Sequence, residues 1–313
     1  MTDRIIIHPT SESDWLAMRV ADVTSTESAA LFDASPYLTQ FELWHRKRDG
    51  AIVSIDPNER MRWGTRLQNV IAQGVAEDNG WTIRRMDEYV RDPNLRMGAS
   101  FDFRVQAQGI STDDATDSLL EVKNVDALQF RDGWLVNGAD IEAPPHIEIQ
   151  VQHQLAVSGL ATAHIAALVG GNAVKIIERH RDERMISAIR AKVAEFWISV
   201  DAGHEPSPDW ARDAAAVIKM HSFAEPGRIF DARGDEGFAA LAREYIAHAD
   251  AEKAAKAGKE SIKAQILMRI GEAEKCLGDG WTISAGIVGP AHVEYEREAY
   301  RNFRLNRPRG KKA

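Results

Sequence analysis

The stretch that decides the fold is RMGASFDFRVQAQGISTDDATDSLLEVKNV, residues 96–125, in which two apolar runs flank a polar, acid-rich loop. Asp102 lies inside the first run, and Glu121 and Lys123 lie two residues apart in the second. Because side chains alternate along a strand, Glu121 and Lys123 share one face, about 7 Å apart at their Cα atoms. If the two runs pair antiparallel, Asp102 lies opposite them. The sequence therefore predicts a charged cluster on two neighbouring strands.

This cluster has the composition of a site for a hard cation. Two converging carboxylates repel each other, and a divalent cation relieves the repulsion. Oxygen ligands without His or Cys favour Mg²⁺ or Mn²⁺ over zinc. An isolated Glu-x-Lys is usually only the solvated face of a strand. Asp102, however, lies in an apolar run after Gly98-Ala99, where an unpaired carboxylate is costly.

Composition excludes several other classes of protein. The chain has 313 residues, 44% of them hydrophobic and 27% charged, which is typical of a globular protein. No apolar run approaches the roughly 20 residues of a membrane span, so we expect a cytoplasmic protein. Cys276 is the single cysteine, which excludes an internal disulfide framework and a Cys-rich metal site. The net charge of −8 predicts that any phosphate contact is local.

Local patterns predict the elements around the cluster. Two capping-box patterns, Thr24 with Glu27 and Thr39 with Glu42, predict two short helices within residues 11–48. Periodicity and turn residues predict a helix over 59–79, a strand–turn–strand unit over 81–105, a strand over 119–125, a helix over 146–160, a hairpin over 161–180 and a helix over 182–200.

This order of elements predicts an α/β (α+β) fold. Residues 201–209, DAGHEPSPD, are typical of a linker. We therefore expect one domain over 1–205 and a second, mainly helical one over 206–313, which ends in a basic tail.

The same residues carry a resemblance to a known family of nucleases. An Asp, a loop and then Glu-x-Lys on the next strand resembles the PD-(D/E)xK core, and the wider pattern is similar to the YqaJ-type viral recombinases, relatives of phage lambda exonuclease. The matching pieces, in family order, are DWLAMRVADVTSTESAALF (14–32), RWGTRLQN (62–69), GASFDFRV (98–105), LLEVKNV (119–125) and IQVQHQLAVSG (149–159). The resemblance implies a restriction-endonuclease-like core, a central mixed sheet flanked by helices.

The resemblance also implies roles for individual residues. Asp102 and Glu121 would bind the metal, with the backbone carbonyl of Val122 as a further ligand. Lys123 would be the catalytic lysine, and Gln150 would hold the attacking water or the scissile phosphate.

Two further positions match the family, one of them with a substitution. The family helix carries Glu four residues after Gly64, where this chain has Gln68, a neutral metal ligand that adds no charge for a second Mg²⁺. Arg19 and Thr26 match a pair that clamps a terminal phosphate. We expect Thr26 in the first turn of a helix that Thr24 caps, where free N–H groups attract anions.

The implied function is a Mg²⁺-dependent deoxyribonuclease, a 5′–3′ exonuclease on linear double-stranded DNA in phage or prophage recombination. The resemblance implies a single-strand annealing protein as partner and a homo-oligomer such as a trimer. Two alternatives remain open from the sequence. One is a DNA-binding module with a decayed nuclease site, which Gln68 suggests. The other is a nuclease of the same superfamily that acts as an endonuclease.

Overall fold

A computed structural model describes residues 4–52, 56–106, 117–138, 140–297 and 299–305. The chain divides into two compact units, Met1–Ala216 and Val217–Ala313. The division from sequence, 1–205 and 206–313, stays a prediction of domain organisation. Most of the acid-rich loop after Gln106 and of the basic tail lies outside the described residues.

The described residues form eight α-helices, one 3-10 helix and thirteen strands. The helices are α1 (Glu12–Val20), the 3-10 helix (Ser28–Phe32), α2 (Gln40–Arg48), α3 (Glu59–Asn79), α4 (Ala127–Gly133), α5 (Pro145–Ser158), α6 (Glu183–Asp201), α7 (Trp210–Met220) and α8 (Glu236–Ile270). The strands are β1 (Ile5–Ile7), β2 (Val23–Thr24), β3 (Thr82–Arg85), β4 (Tyr89–Asp92), β5 (Met97–Ser100), β6 (Phe103–Gln106), β7 (Ser118–Val125), β8 (Leu135–Asn137), β9 (Asp140–Glu142), β10 (Thr162–Val169), β11 (Ala173–His180), β12 (Lys275–Gly278) and β13 (Trp281–Ser284).

The first unit is built on a five-stranded sheet in the order β11-β10-β7-β6-β3. Strands β7 and β10 are parallel and the other neighbours are antiparallel, so the sheet is mixed. Helix α3 covers one face, where Ile71 and Val75 pack in one buried cluster with Leu120. Leu119 belongs to the larger cluster on the other face, which includes residues of α5 and α6 such as Leu155. The predicted α/β fold with helices flanking a mixed central sheet is confirmed.

The prediction of two continuous strands over 81–105 is wrong. The hairpin divides between two sheets, with β3 and β6 in the central sheet and β4 and β5 in a four-stranded sheet of order β1-β4-β5-β2. Phe101 belongs to the larger buried cluster and Phe103 to the cluster under α3. In a straight strand residues 101 and 103 would share a face. The backbone therefore bends at Asp102, between them.

The N-terminal region contains three helices rather than the two predicted. Thr39 caps α2 as predicted, because its hydroxyl accepts the Glu42 N–H at 3.1 Å. Thr24 does not cap a helix, since it lies in β2, which pairs in parallel with β5. The Glu27 carboxylate instead accepts the N–H and the hydroxyl of Thr24, both at 2.9 Å. Thr26 consequently precedes a short 3-10 helix and is not in a first helical turn.

The second unit contains the long helix α8 and the β12–β13 hairpin. Asp235 caps α8 through its side chain, which accepts the Phe238 N–H at 2.9 Å. Strands β12 and β13 pair antiparallel. Within the described residues, no helix has both the length and the apolar composition of a membrane span.

Gly98 offers a test of how tightly β5 packs. A Cβ atom there would overlap the hydroxyl of Tyr89, which donates to Asp22 at 3.0 Å. We expect Gly98→Ala to lower the free energy of unfolding by about 1–3 kcal/mol through overpacking. Gly74→Ala in α3 is the matched control, because no heavy atom lies within 4 Å of its added Cβ. It should be neutral or stabilising by up to about 1 kcal/mol. If urea unfolding gave Gly98→Ala a free energy of unfolding equal to or higher than that of Gly74→Ala, the result would contradict this packing.

Candidate active site

The candidate site lies at the point along strand β7 where its pairing with strand β6 ends. Strand β6 pairs with β7 only over Ser118–Leu120, whereas β10 follows β7 on its other side as far as Val125. Beyond Leu120 a side chain replaces the missing strand, because the Val122 N–H donates to the Asp102 carboxylate at 2.8 Å. The bend at Asp102 thus places its carboxylate against the backbone of β7, next to Glu121.

Glu121 lies at the centre of a hydrogen-bonded group. It is buried, and its Oε1 accepts from Lys123 Nζ and from Gln150 Nε2, both at 2.7 Å. Lys123 Nζ also donates to Gln150 Oε1 at 3.1 Å. The predicted common face of Glu121 and Lys123 is therefore observed, and α5 brings Gln150 onto it.

Sequence reasoning missed Gln154, which binds the other oxygen of Glu121. Its Nε2 donates to Glu121 Oε2 at 2.8 Å and to the carbonyl of Ser100 at 3.3 Å. Gln154 is buried, and within the described residues its Oε1 has no hydrogen-bond partner. The signal was present in the sequence, because Gln154 follows Gln150 by four residues, on the same face of a helix.

The charges of the two carboxylates oppose each other. Burial, and then the charge of Glu121, raise the pKa of Asp102 to about 7. Burial disfavours the charged form of Lys123, but Glu121 outweighs it by charge and hydrogen bond, so the pKa of Lys123 is raised. Lys123 therefore stays protonated near neutral pH, while Asp102 is poised between its two states.

This electrostatic imbalance fits a divalent cation. When both are ionised, Asp102 and Glu121 carry two negative charges against the single positive charge of Lys123, and a hard cation prefers carboxylate oxygens. No cluster of three or more His, Cys, Asp or Glu side chains suited to a metal occurs in the described part of the chain. The candidate ligands are thus two carboxylates, completed by neutral oxygens such as the Val122 carbonyl or Gln68.

A single cleft of about 490 Å³ contains every side chain predicted for the site. Helix α3 contributes Gln68, the neutral residue predicted as a further metal ligand. The predicted residues that line the cleft are Arg19, Thr26, Gln68, Asp102, Glu121, Val122, Lys123 and Gln150.

Arg19 and Thr26, the predicted phosphate-binding pair, are in contact. Arg19 Nη2 donates to the hydroxyl of Thr26 at 3.1 Å and to that of Thr24 at 3.4 Å. The Arg19 guanidinium lies over the ring of Trp15, 4.4 Å from its centroid. Because Thr26 precedes only a five-residue 3-10 helix, the expected helix-terminal contribution is wrong, and the positive charge comes from Arg19.

A buried ion pair that the sequence did not reveal supports this pair. Lys47 Nζ, in α2, donates to Glu27 Oε2 and to the backbone carbonyl of Arg19, both at 2.8 Å. Burial disfavours the charged form of Glu27, but Lys47 and Arg19 outweigh it, and its pKa is lowered. Glu27 in turn accepts two hydrogen bonds from Thr24. The ion pair therefore connects the backbone of Arg19 to Thr24, whose hydroxyl also accepts from the Arg19 guanidinium.

The bend at Asp102, Glu121 and Lys123 on the adjacent strand, and a glutamine from the covering helix together define a PD-(D/E)xK-type core. Residues 14–161 match the model of the YqaJ-like viral recombinase domain. This part of the chain is therefore similar to that family.

Individual relatives give the extent of the similarity. The chain is 27% identical over 213 residues to the uncharacterized protein YqaJ of Bacillus subtilis (strain 168), covering 67% of this chain and 63% of that protein's length. An alkaline exonuclease from Laribacter hongkongensis is 20% identical, with 66% of this chain and 99% of that one covered and a TM-score of 0.47. A phage related exonuclease from Haemophilus somnus 129PT is 13% identical, with 63% and 89% covered and a TM-score of 0.39.

The raised pKa of Asp102 predicts a specific pH dependence of stability. Its pKa rises from 3.8 to about 7 on folding, so its contribution to stability is present below pH 4 and is lost as the pH rises through 7. Asp102→Asn removes the charge and keeps an oxygen for the Val122 N–H. We therefore expect the free energy of unfolding of the variant, relative to that of wild type, to be higher at pH 8 than at pH 5 by on the order of 2 kcal/mol. Urea unfolding with EDTA measures this gain, and an equal difference at both pH values would contradict it.

Proposed function

We propose that this protein is a DNA exonuclease, a Mg²⁺-dependent phosphodiester hydrolase that digests linear double-stranded DNA from a 5′ end. The single observation that carries the proposal is the convergence of Asp102, Glu121 and Lys123 in one cleft with the Arg19–Thr26 pair. The match of residues 14–161 to the model of the YqaJ-like viral recombinase domain supports it.

The metal would bind between the two carboxylates. Asp102 and Glu121 would hold Mg²⁺, with the Val122 carbonyl as a further ligand, and Mn²⁺ would substitute because it accepts the same oxygen ligands. When bound, the cation activates water and offsets the negative charge of the phosphate.

The remaining groups would orient the reactants. Lys123 carries a proton and is held by Glu121 and Gln150, so its ammonium group is positioned to stabilise charge on the scissile phosphate. The Gln150 amide contacts both Glu121 and Lys123, which places it where it can orient the attacking water. Gln154 keeps the second oxygen of Glu121 in place.

The Arg19–Thr26 pair would bind a terminal phosphate. A guanidinium group offers paired donors to phosphate oxygens, and the Thr26 hydroxyl adds a third donor. The hydrogen bonds to Thr24 and Thr26 and the stacking on Trp15 fix the orientation of Arg19 before DNA arrives. A terminal phosphate held in the same cleft as the scissile bond favours attack near the end of a strand, and hence an exonuclease over an endonuclease.

The similarity to the YqaJ-like viral recombinase domain supports our proposal of a role in phage or prophage recombination, in the cytoplasm of a bacterial host. There the exonuclease would expose single strands for an annealing protein. We propose a homo-oligomer, such as a trimer, for the assembled enzyme. Large apolar side chains exposed in the second unit, among them Ile229, Phe230 and Leu277, support an assembly that covers them.

Lys123→Ala tests the activity directly. We expect a fall in kcat of about 10²- to 10³-fold on linear duplex DNA with Mg²⁺, because an ammonium group aimed at the reacting phosphate is lost. Lys192→Ala is the matched control, an exposed lysine of α6 outside the cleft. The substrate carries separate labels at its 5′ and 3′ ends, and early release of the 5′ label reports the polarity. Equal rates for wild type and Lys123→Ala, or cleavage of circular duplex at the linear rate, would rule out this proposal.

Gln68 distinguishes an active enzyme from a decayed DNA-binding module. If the enzyme is active, Gln68→Glu should leave kcat at saturating Mg²⁺ nearly unchanged. It should lower the Mg²⁺ concentration for half-maximal rate by about ten-fold, since a charged ligand replaces a neutral one. Gln73→Glu, an exposed position on the same helix, controls for the added charge. A wild type that binds DNA without cutting it, beside a Gln68→Glu variant that cuts, would establish the decayed module instead.

A further inference from the structure

A second cavity, of about 700 Å³, adjoins the candidate active site. It shares Thr26, Lys123, Asn124 and Gln150 with the catalytic cleft. Its other walls come from the loop between the 3-10 helix and α2, from the start of α3, from the end of β7, from the end of α4 and from the start of α5. A phosphate at Lys123 would therefore place a neighbouring part of the same DNA strand at the mouth of this cavity.

An aromatic pair stands on the wall of this cavity. Tyr37 is 79% exposed, and its ring meets that of His146 edge to face, with centroids 5.9 Å apart. Burial, and then the charge of Lys123, lower the pKa of His146, which leaves its ring neutral at pH 7. Trp134, buried and stacked on Phe130, also lines the cavity. The cavity thus offers the uncharged π-surface on which a planar ring stacks.

The loop that carries Tyr37 is held in place. The Ser35 hydroxyl accepts the N–H groups of Tyr37 and Leu38, both at 3.2 Å. Arg212, in α7, donates to the Ser35 carbonyl at 2.5 Å, and Thr39 donates to the fully buried Asp213 at 2.5 Å. An exposed aromatic ring on a fixed backbone is preorganised for a ligand, since little entropy is lost when the ligand binds.

The polar groups around the cavity select the class of ligand. Arg60 and Lys123 supply positive charge, and Asn124 and Gln129 supply amide groups. Aromatic faces, amides and cations together match a nucleotide, whose base stacks, whose base edge hydrogen-bonds and whose phosphate is anionic. We propose that this cavity is a nucleobase subsite, in which Tyr37 stacks on the base of a nucleotide that flanks the scissile phosphate. The inference rests on the proposed nuclease function and adds a site for the base.

Such a subsite has a mechanical consequence for duplex DNA. A base can stack on Tyr37 only after it has left its own base pair, and unpairing is least costly at an end or a mismatch. The subsite would therefore favour frayed ends over the interior of a duplex. Because every base has a π-face, stacking alone would not select a sequence.

Fluorescence of 2-aminopurine tests the subsite without requiring cleavage. The probe is a linear duplex with 2-aminopurine at the first or the second nucleotide of a 5′-phosphorylated end, mixed with the full-length protein in EDTA. We expect wild type and Tyr37→Phe to quench the probe in at least one of the two positions, and Tyr37→Leu to lose most of the quenching. Tyr295→Leu, which removes a tyrosine that is 77% exposed in the second unit, should quench like wild type. Absence of quenching, or quenching that Tyr37→Leu leaves intact, would overturn the subsite.

Steady-state kinetics on Mg²⁺-loaded enzyme give a second measurement. Loss of one stacked base should raise KM by about five- to fifty-fold with a smaller change in kcat. An abasic residue at the quenched position should raise KM by a similar factor, and combining it with Tyr37→Leu should add little. Additive effects would contradict direct stacking. Failure of wild type to cut linear DNA would refute the proposed function, whereas quenching that depends on Tyr37 would still support the base site.

Discussion

The whole site depends on one hydrogen bond, from the Val122 N–H to the Asp102 carboxylate. A buried backbone N–H at the edge of a strand pair needs an acceptor. Where β6 turns away from β7, a carboxylate supplies that acceptor in place of a strand. The same contact that completes the backbone of β7 therefore brings a second negative charge to Glu121, so the stability of the sheet and the chemistry of the site have a common origin.

The Glu121 carboxylate accepts hydrogen bonds from three side chains, those of Lys123, Gln150 and Gln154, whereas the Asp102 carboxylate accepts the backbone N–H of Val122. Burial, and then the charge of Glu121, raise the pKa of Asp102. A cation that enters between them would allow both to ionise.

Buried polar residues support both the Arg19–Thr26 pair and the cavity that contains Tyr37. Lys47 and Glu27 form an ion pair. Hydrogen bonds from Lys47 to the Arg19 carbonyl and from the Thr24 N–H to Glu27 compensate for the loss of water around the two charges. On the other side, Asp213 holds the loop that presents Tyr37. Exposed groups that would contact DNA are therefore held by buried polar groups that would not.

Local rules were sufficient for much of this protein and failed where distant residues compete. Strand alternation put Glu121 and Lys123 on one face, helical periodicity predicted α3 over its full length, and a capping box marked the start of α2, because each depends only on neighbours in the chain. The bend at Asp102, the attachment of Gln154 to Glu121 and the Lys47–Glu27 pair depend on residues that folding brings together. Phe101 and Phe103 belong to different buried clusters, and no local sequence pattern predicts that they separate in this way. The sequence alone determined which chemical groups the site contains, and the tertiary structure decided how they meet, because packing of the two clusters sets the path of the backbone between them.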